Sequence, residues 1–275
     1  MSDTPTPDAL SADAPTYETV LFERDGAVVT LTMNRPERRN ALHPSLDRDL
    51  RDAFDHVSED DSIRAVVLTG AGNGFCAGAD LSVLKDSPTP EDLYDHLTTR
   101  YLPLIEGIQS CPKPIIAGVN GMAAGAGMAL ALACDLIVMA DDAAMIMAFS
   151  QIGFVPDSGA SYFLVRQVGY NRAFELAAEA QPIGAEQCHD LGIANKVVPS
   201  STLLEATADW AQHLAERPTT ALALTKEALQ FAQDHDLKET IEFESELQMN
   251  AIQTRDHREG LSAFLEKREP EFRGD

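Results

Sequence analysis

Residues 111–140, CPKPIIAGVNGMAAGAGMALALACDLIVMA, decide how the rest of the chain is read. Pro112 and Pro114 bound an apolar run over 115–119 in which β-branched residues dominate, which predicts a short buried strand. Asn120-Gly121 is a turn signal, and over 123–132 the side chains shrink to Ala, Gly and a few larger aliphatics. Small residues at a helix start let another group approach the backbone, whose first N–H groups have no partner inside the helix. Such donors, with the helix dipole behind them, suit an anion or a carbonyl oxygen that gains charge during a reaction. The stretch is therefore a candidate oxyanion hole. Tight helix packing accounts for the same glycines and alanines, and on these residues alone both readings stand. A dinucleotide fingerprint fits poorly, because Gly125-Ala126-Gly127 is followed by Met128-Ala129-Leu130 and lacks the third glycine.

The whole chain is long and apolar enough for a sizeable core: 275 residues, 44% of them hydrophobic. Its charge is far from balanced. Forty-four acidic against 21 basic residues give a net charge of −23, and only six of the basic residues are Lys. Nucleic-acid backbones and anionic membranes would be repelled by such a surface, so neither is expected as a partner. An acidic, Lys-poor surface also suits a cytoplasm rich in salt, where screening removes the self-repulsion. Cys76, Cys111, Cys134 and Cys188 are scattered, without CxxC or metal-ligand spacing, and the seven His form no HExxH pattern. Buried thiols in a reducing compartment follow, and no metal site. Residues 1–16 carry neither a basic segment nor an apolar core and are expected to be a disordered acidic tail rather than a signal peptide. No apolar run of spanning length is free of Gly or charge, so a cytoplasmic location is expected.

Outward from the central stretch, residues 17–22 and 27–33 alternate around Arg24-Asp25-Gly26 and predict a hairpin. The loop after it, NRPERRNAL at 34–42, holds three arginines within five positions. Concentrated positive charge there fits phosphates, or simply a solvated turn. Residues 43–59 read as an amphipathic helix, with Leu46, Leu50, Phe54 and Val57 on one face. Residues 63–69 form a compact apolar strand that runs into the glycine-rich GAGNGFCAGADL at 70–81, a second place where backbone N–H groups could face a ligand. Because the two glycine-rich turns follow two successive buried strands, they are expected side by side. Residues 87–91 read as a loop and helix start, 91–109 as a helix, 135–140 and 145–149 as strands, and 160–168 as a helix. Helices dominate afterwards, over 172–179, 185–191, 201–215, 219–233 and 237–252, interrupted by a strand at 194–198.

Four segments together, NRPERRNAL at 34–42, GFCAGADL at 74–81, KPIIAGVNGMAAGAGMALALACDLIVMADDA at 113–143 and EGLSAFLEKREPEF at 259–272, resemble the crotonase, or enoyl-CoA hydratase/isomerase, superfamily. The resemblance covers about residues 17–273. It implies an α/β fold, a spiral of repeated ββα units over 17–200 that holds the acyl-CoA site, with a helical oligomerisation region over 201–275 that assembles trimers or dimers of trimers. It also implies that the backbone N–H groups of Ala79 and Ala126 hold the thioester oxygen, in line with the independent reading of both turns. Such a hole is needed because proton loss beside a thioester leaves an enolate with its charge on that oxygen. Each aimed donor contributes on the order of 3 kcal/mol.

Hydratases of this superfamily carry two glutamates, and the positions aligned with them here are Ala129 and Phe149. Neither moves a proton. MAFSQIGFVPDSG at 147–159 instead resembles the phenylacetate-pathway isomerases that act on ring-epoxide or oxepin phenylacetyl-CoA and on unsaturated acyl-CoAs, with Asp157 after Pro156 as the acid/base. By its local sequence alone, Pro-Asp-Ser-Gly is a turn and Asp157 a helix cap. Capping would lower its pKa; a lining of Met145, Met147, Phe149 and Phe154 would raise it toward that of a useful base. For CoA, the resemblance points to Arg38 and Arg39 at the nucleotide end and to Ala77, Asp80 and Leu81 near the pantetheine. Phe264 and Lys267 of the last helix would come from a neighbouring subunit, although Lys267 could instead pair with Glu266 or Glu271 on the surface. CoA enters as part of the substrate, and no separate cofactor is expected. Dehalogenation, thioester hydrolysis, hydration and a catalytically silent acyl-CoA-binding subunit remain as alternatives to an isomerase.

Overall fold

The fold grows from β-branched runs that need burial on both faces. A computed structural model describes residues 15–84 and 89–275, so the expected tail over 1–16 lies almost wholly outside it, as do residues 87 and 88 of the loop and helix start expected over 87–91. In chain order the elements are β1 (Val20–Asp25), β2 (Val28–Met33), α1 (Pro44–Glu59), β3 (Ala65–Gly70), β4 (Gly74–Cys76), α2 (Pro90–His96), α3 (Leu102–Ser110), β5 (Ile115–Val119), β6 (Met122–Ala124) and α4 (Ala126–Leu132). There follow β7 (Leu136–Ala140), β8 (Ala144–Ile146), α5 (Ala160–Val168), α6 (Tyr170–Glu179), β9 (Ile183–Gly184), α7 (Ala185–Asp190) and β10 (Lys196–Val198). Four helices end the chain: α8 (Leu203–Ala215), α9 (Thr219–Ala232), α10 (Leu237–Ala251) and α11 (Arg255–Glu266).

The strands divide between a six-stranded sheet, ordered β1-β2-β3-β5-β7-β10, and a four-stranded sheet, ordered β4-β6-β8-β9. The β1/β2 and β8/β9 pairs are antiparallel and the remaining pairs are parallel. Between β3 and α6 the chain repeats one move. It gives a strand to the large sheet, the next to the small sheet, then a helical segment, which is the ββα spiral of the crotonase fold. The fully buried β3 and β5 form the middle of the large sheet. On one side lies α8, packed across β3, β5 and β7, so the first helix of the expected 201–275 region belongs to the core layer.

Two expectations need correction. The strand expected over 145–149 ends at Ile146, and residues Ala148–Ile152 coil into a 3-10 turn closed by Gly153 at φ 75°. There the Phe154 N–H reaches the Phe149 carbonyl, which bends the chain out of the small sheet. The single helix expected over 91–109 is α2 and α3 joined by a wider turn over Leu97–Tyr101, where the Leu102 N–H bonds five residues back to the Leu97 carbonyl. Its cause is Pro103, which has no N–H to give to the Thr99 carbonyl; that carbonyl accepts from the Arg51 guanidinium at 3.3 Å instead. All four cysteines are buried and unpaired, as expected. Among the described residues no helix is long and apolar enough to cross a membrane.

Candidate active site

The site starts where two parallel strands end together. β4 and β6 are neighbours, so the chain leaves both in the same direction, once into Ala77-Gly78-Ala79 and once into Gly125-Ala126-Gly127. These turns touch because two side chains are absent. A Cβ on Gly78, at φ +88°, would stand 2.6 Å from the Ala124 carbonyl oxygen, and one on Gly127 would overlap the carbonyl oxygen of Cys76. Only glycine permits both approaches. The N–H groups of Ala79 and Ala126 donate to no acceptor among the described residues. They are placed to serve a ligand, as an oxyanion hole requires.

Buried polar side chains hold the first turn in place. Asn40, fully buried, donates to the Ala71 and Gly74 carbonyls at 2.9 and 2.8 Å and accepts from the Arg35 N–H at 2.9 Å. Asn120 donates to the Gly70 and Gly72 carbonyls at 2.8 and 3.0 Å. Arg35 also pairs with Asp80 at 3.0 Å. Burial alone would raise the Asp80 carboxyl, but hydrogen bonds from Ser82 and Arg35 bring it below the ordinary carboxylate range. Asp80 is thus occupied by these neighbours, and its side chain serves to hold the turn.

Beside the two turns lies a cavity of about 170 Å³. Ala77, Gly78, Ala79 and Leu81 line it from the first turn, Gly125 and Ala126 from the second, and Leu93, His96, Leu97 and Tyr101 from α2 and the wide turn. Phe149, Ile152 and Phe154 line the opposite stretch with Asp157, whereas Met145 and Met147, expected in the lining, are buried in the core. Asp157 does not cap α5. Gly159 occupies the cap position with no side-chain hydrogen bond, and the Asp157 carboxylate accepts from the Ser158 hydroxyl at 2.8 Å. Burial pushes its pKa up, partly offset by that hydroxyl. The result is a half-buried carboxyl facing the cavity without an ion pair to any described residue.

Comparisons with known proteins bear on the family of the chain. Residues 23–275 match the enoyl-CoA hydratase/isomerase family. A 1,2-epoxyphenylacetyl-CoA isomerase of Escherichia coli K12 is 41% identical over 94% of this chain and 99% of its own length. The chain belongs to the enoyl-CoA hydratase/isomerase family. A 2,3-dehydroadipyl-CoA hydratase of the same organism is 35% identical, covering 93% of this chain and 98% of the relative. The crystal structure of an enoyl-CoA hydratase/isomerase from Cupriavidus metallidurans CH34 superposes with a TM-score of 0.89 at 35% identity, over 94% of this chain and 98% of that one.

Within this enoyl-CoA hydratase/isomerase scaffold the remaining expected residues fall into three groups. Ala129 and Phe149, the positions that the resemblance aligns with the hydratase glutamates, are apolar and buried, Ala129 inside α4 and Phe149 on the cavity wall. Arg38 and Arg39 are exposed on the loop whose backbone meets the first turn, where the Ala77 N–H donates to the Arg39 carbonyl at 3.0 Å. Neither arginine forms an ion pair with a described residue. Phe264, 80% exposed, and Lys267 do not line the cavity of their own chain. Glu266 pairs with Arg268 rather than with Lys267. Sequence reasoning missed His96 and Tyr101 on the cavity wall, and Asn40 and Arg35 beneath it. The first two are hidden by the wide turn, which brings residues five apart to one face.

Proposed function

We propose that this enzyme is an acyl-CoA isomerase that moves a C=C bond, or rearranges a ring-epoxide phenylacetyl-CoA, through a thioester enolate. The observation that carries the reading is the single cavity lined by Asp157, Ala79 and Ala126 and, at one hydratase-glutamate position, by Phe149. In the double-bond reaction, the Asp157 carboxylate takes a proton from C2 or C4 of the bound thioester. The electron pair left behind spreads into a dienolate whose oxygen receives the Ala79 and Ala126 N–H groups, and the carboxyl returns the proton at the other end of the allyl system. One acid/base suffices, and the two donors lower the barrier by stabilising charge that exists only after proton removal.

Arg38 and Arg39 would meet the CoA phosphates, and Ala77 and Leu81 would flank the pantetheine arm. Phe264 and Lys267 would complete the cradle from a second copy in a trimer or dimer of trimers, in keeping with their absence from the lining of their own cavity. No separate cofactor enters this mechanism. A second reading, water addition, is favoured by the name of the 2,3-dehydroadipyl-CoA relative, but the positions for its two acids hold Ala129 and Phe149.

The test is incubation of wild type and Asp157→Asn with a 3-enoyl-CoA in heavy water, followed by mass spectrometry. Double-bond migration with deuterium uptake is expected in wild type, with a loss of about 10²–10⁴-fold in the variant and retained CoA affinity. Conversion of a 2-enoyl-CoA to its 3-hydroxy product without migration would replace the proposal with the hydratase reading. Tight binding with neither reaction would point to a silent binding subunit.

A further inference from the structure

The cavity wall holds two titratable groups that the double-bond mechanism leaves without a task, His96 and Tyr101, and His96 is the one that is ready to donate and accept at neutral pH. His96 lines the wall that also carries Asp157, Ala79 and Ala126, on a different element from all three. Neither of its ring nitrogens is hydrogen-bonded to a described residue; its contact is the Tyr101 ring, edge to face, with centroids 4.8 Å apart. Burial, with the Arg100 charge nearby, lowers its pKa, so the imidazole is neutral at pH 7 and presents one N–H donor and one nitrogen acceptor. The Tyr101 hydroxyl behind it is also buried without a partner.

Most of the remaining wall is apolar, with Leu81, Leu93, Leu97, Phe149, Ile152 and Phe154, and the amide N–H of Gln151 on that wall is already given to the Ala180 carbonyl at 2.9 Å. A plain hydrocarbon chain would take water from the imidazole and return no hydrogen bond, an unfavourable exchange. An oxygen on the acyl group would restore it. The wide turn favours the same view, because it departs from regular helix in the segment that brings both aromatic rings to the cavity, and such turns are frequent at functional sites.

We propose that His96, braced by the Tyr101 ring, is a specificity residue that hydrogen-bonds an oxygen function on the acyl group, so that the enzyme prefers acyl-CoAs bearing an epoxide, cyclic ether or hydroxyl over their plain hydrocarbon counterparts. This rests on the acyl-CoA reading above and narrows its substrate class. An epoxide or ether oxygen accepts from the imidazole N–H; a hydroxyl can accept or donate. The role is distinct from that of Asp157, which moves a proton between C2 and C4.

The experiment is calorimetric binding of 2-hydroxyphenylacetyl-CoA and phenylacetyl-CoA to wild type, His96→Leu and His96→Gln. Wild type should bind the hydroxylated compound about tenfold more tightly. That preference should vanish in His96→Leu, which should bind phenylacetyl-CoA more tightly than wild type does because no imidazole loses its water, and should persist in part in His96→Gln. Equal affinities in wild type, or a preference that survives in His96→Leu, overturn the role of His96 and leave the isomerase reading standing. Failure of both compounds to bind wild type overturns the acyl-CoA reading and this one together.

Discussion

Asp157 takes a proton only as the carboxylate, while burial favours its neutral form. The acid limb of kcat/KM is therefore expected above the ordinary carboxylate range, and Ser158→Ala, which removes the hydroxyl that offsets burial, should move that limb further up. A pH profile on a 3-enoyl-CoA checks both. Asp47 is a different kind of buried acid. Neither of its side-chain oxygens has a hydrogen-bond partner, and burial pushes its pKa up to about 7 against the opposing charges of Arg100, Arg51 and Arg35. A pKa raised by folding means stability present below the unfolded value, near 4, and lost as pH rises through about 7. Asp47→Asn, which never ionises, should match wild type near pH 4 and exceed it at pH 8 by on the order of a few kcal/mol in urea unfolding. Equal stabilities at pH 8 would show that the carboxyl finds compensation when charged.

At the scale of elements, the contact of the two turns is the tightest constraint. Gly127→Ala places a methyl group against the Cys76 carbonyl, where backbone rather than a movable side chain must yield. A loss of about 3 kcal/mol or more is expected by urea denaturation, together with loss of turnover as the two donors separate. The same glycines were readable in the sequence as a place of close backbone approach, though the residues alone suited helix packing as well as a ligand. The runs 63–69, 115–119 and 135–140 were readable too, since each is apolar, rich in β-branched residues and bounded by turn signals. β4, β6 and β9 were not: at two or three residues each they are too short to show a period, and GFC and MAA acquire their pairing only from neighbours distant in sequence. Asp157 could be read two ways locally, because a turn before a helix suits a cap as well as a base; the tertiary packing puts Gly159 at the cap and Asp157 on the cavity wall, which supports the proposed base. His96 and Tyr101 stayed hidden because a spacing of five places them on different faces of a regular helix, and the carbonyl that Pro103 leaves unpaired is satisfied by Arg51 of another helix.

At the scale of the molecule, a net charge of −23 makes self-repulsion a standing cost of the folded state. The screening length shrinks from about 10 Å at 0.1 M salt to about 3 Å at 1 M, so Tm should rise by on the order of 5 °C between low and molar potassium chloride if the surface suits a salt-rich cytoplasm. A flat or falling Tm would remove that reading. The C-terminal helices leave large apolar side chains exposed, among them Leu229 at 64%, Phe264 at 80% and Leu265 at 71%. Assembly is expected to cover them, and sedimentation equilibrium should return three or six times the single-chain mass. A monomer would remove Phe264 and Lys267 from the proposed CoA cradle.

The parallel pairing of β4 and β6 has one more effect. Neighbouring strands in a sheet stand about 4.8 Å apart, and the two proposed donors lie just beyond the ends of such a pair. The sheet therefore acts as a ruler for the gap between them. Because main-chain atoms set that gap, exchange of surrounding side chains leaves it unchanged. Substitutions at Ala129, Phe149 or His96 can accumulate and redirect what happens to the acyl group while the means of holding its thioester oxygen is inherited intact.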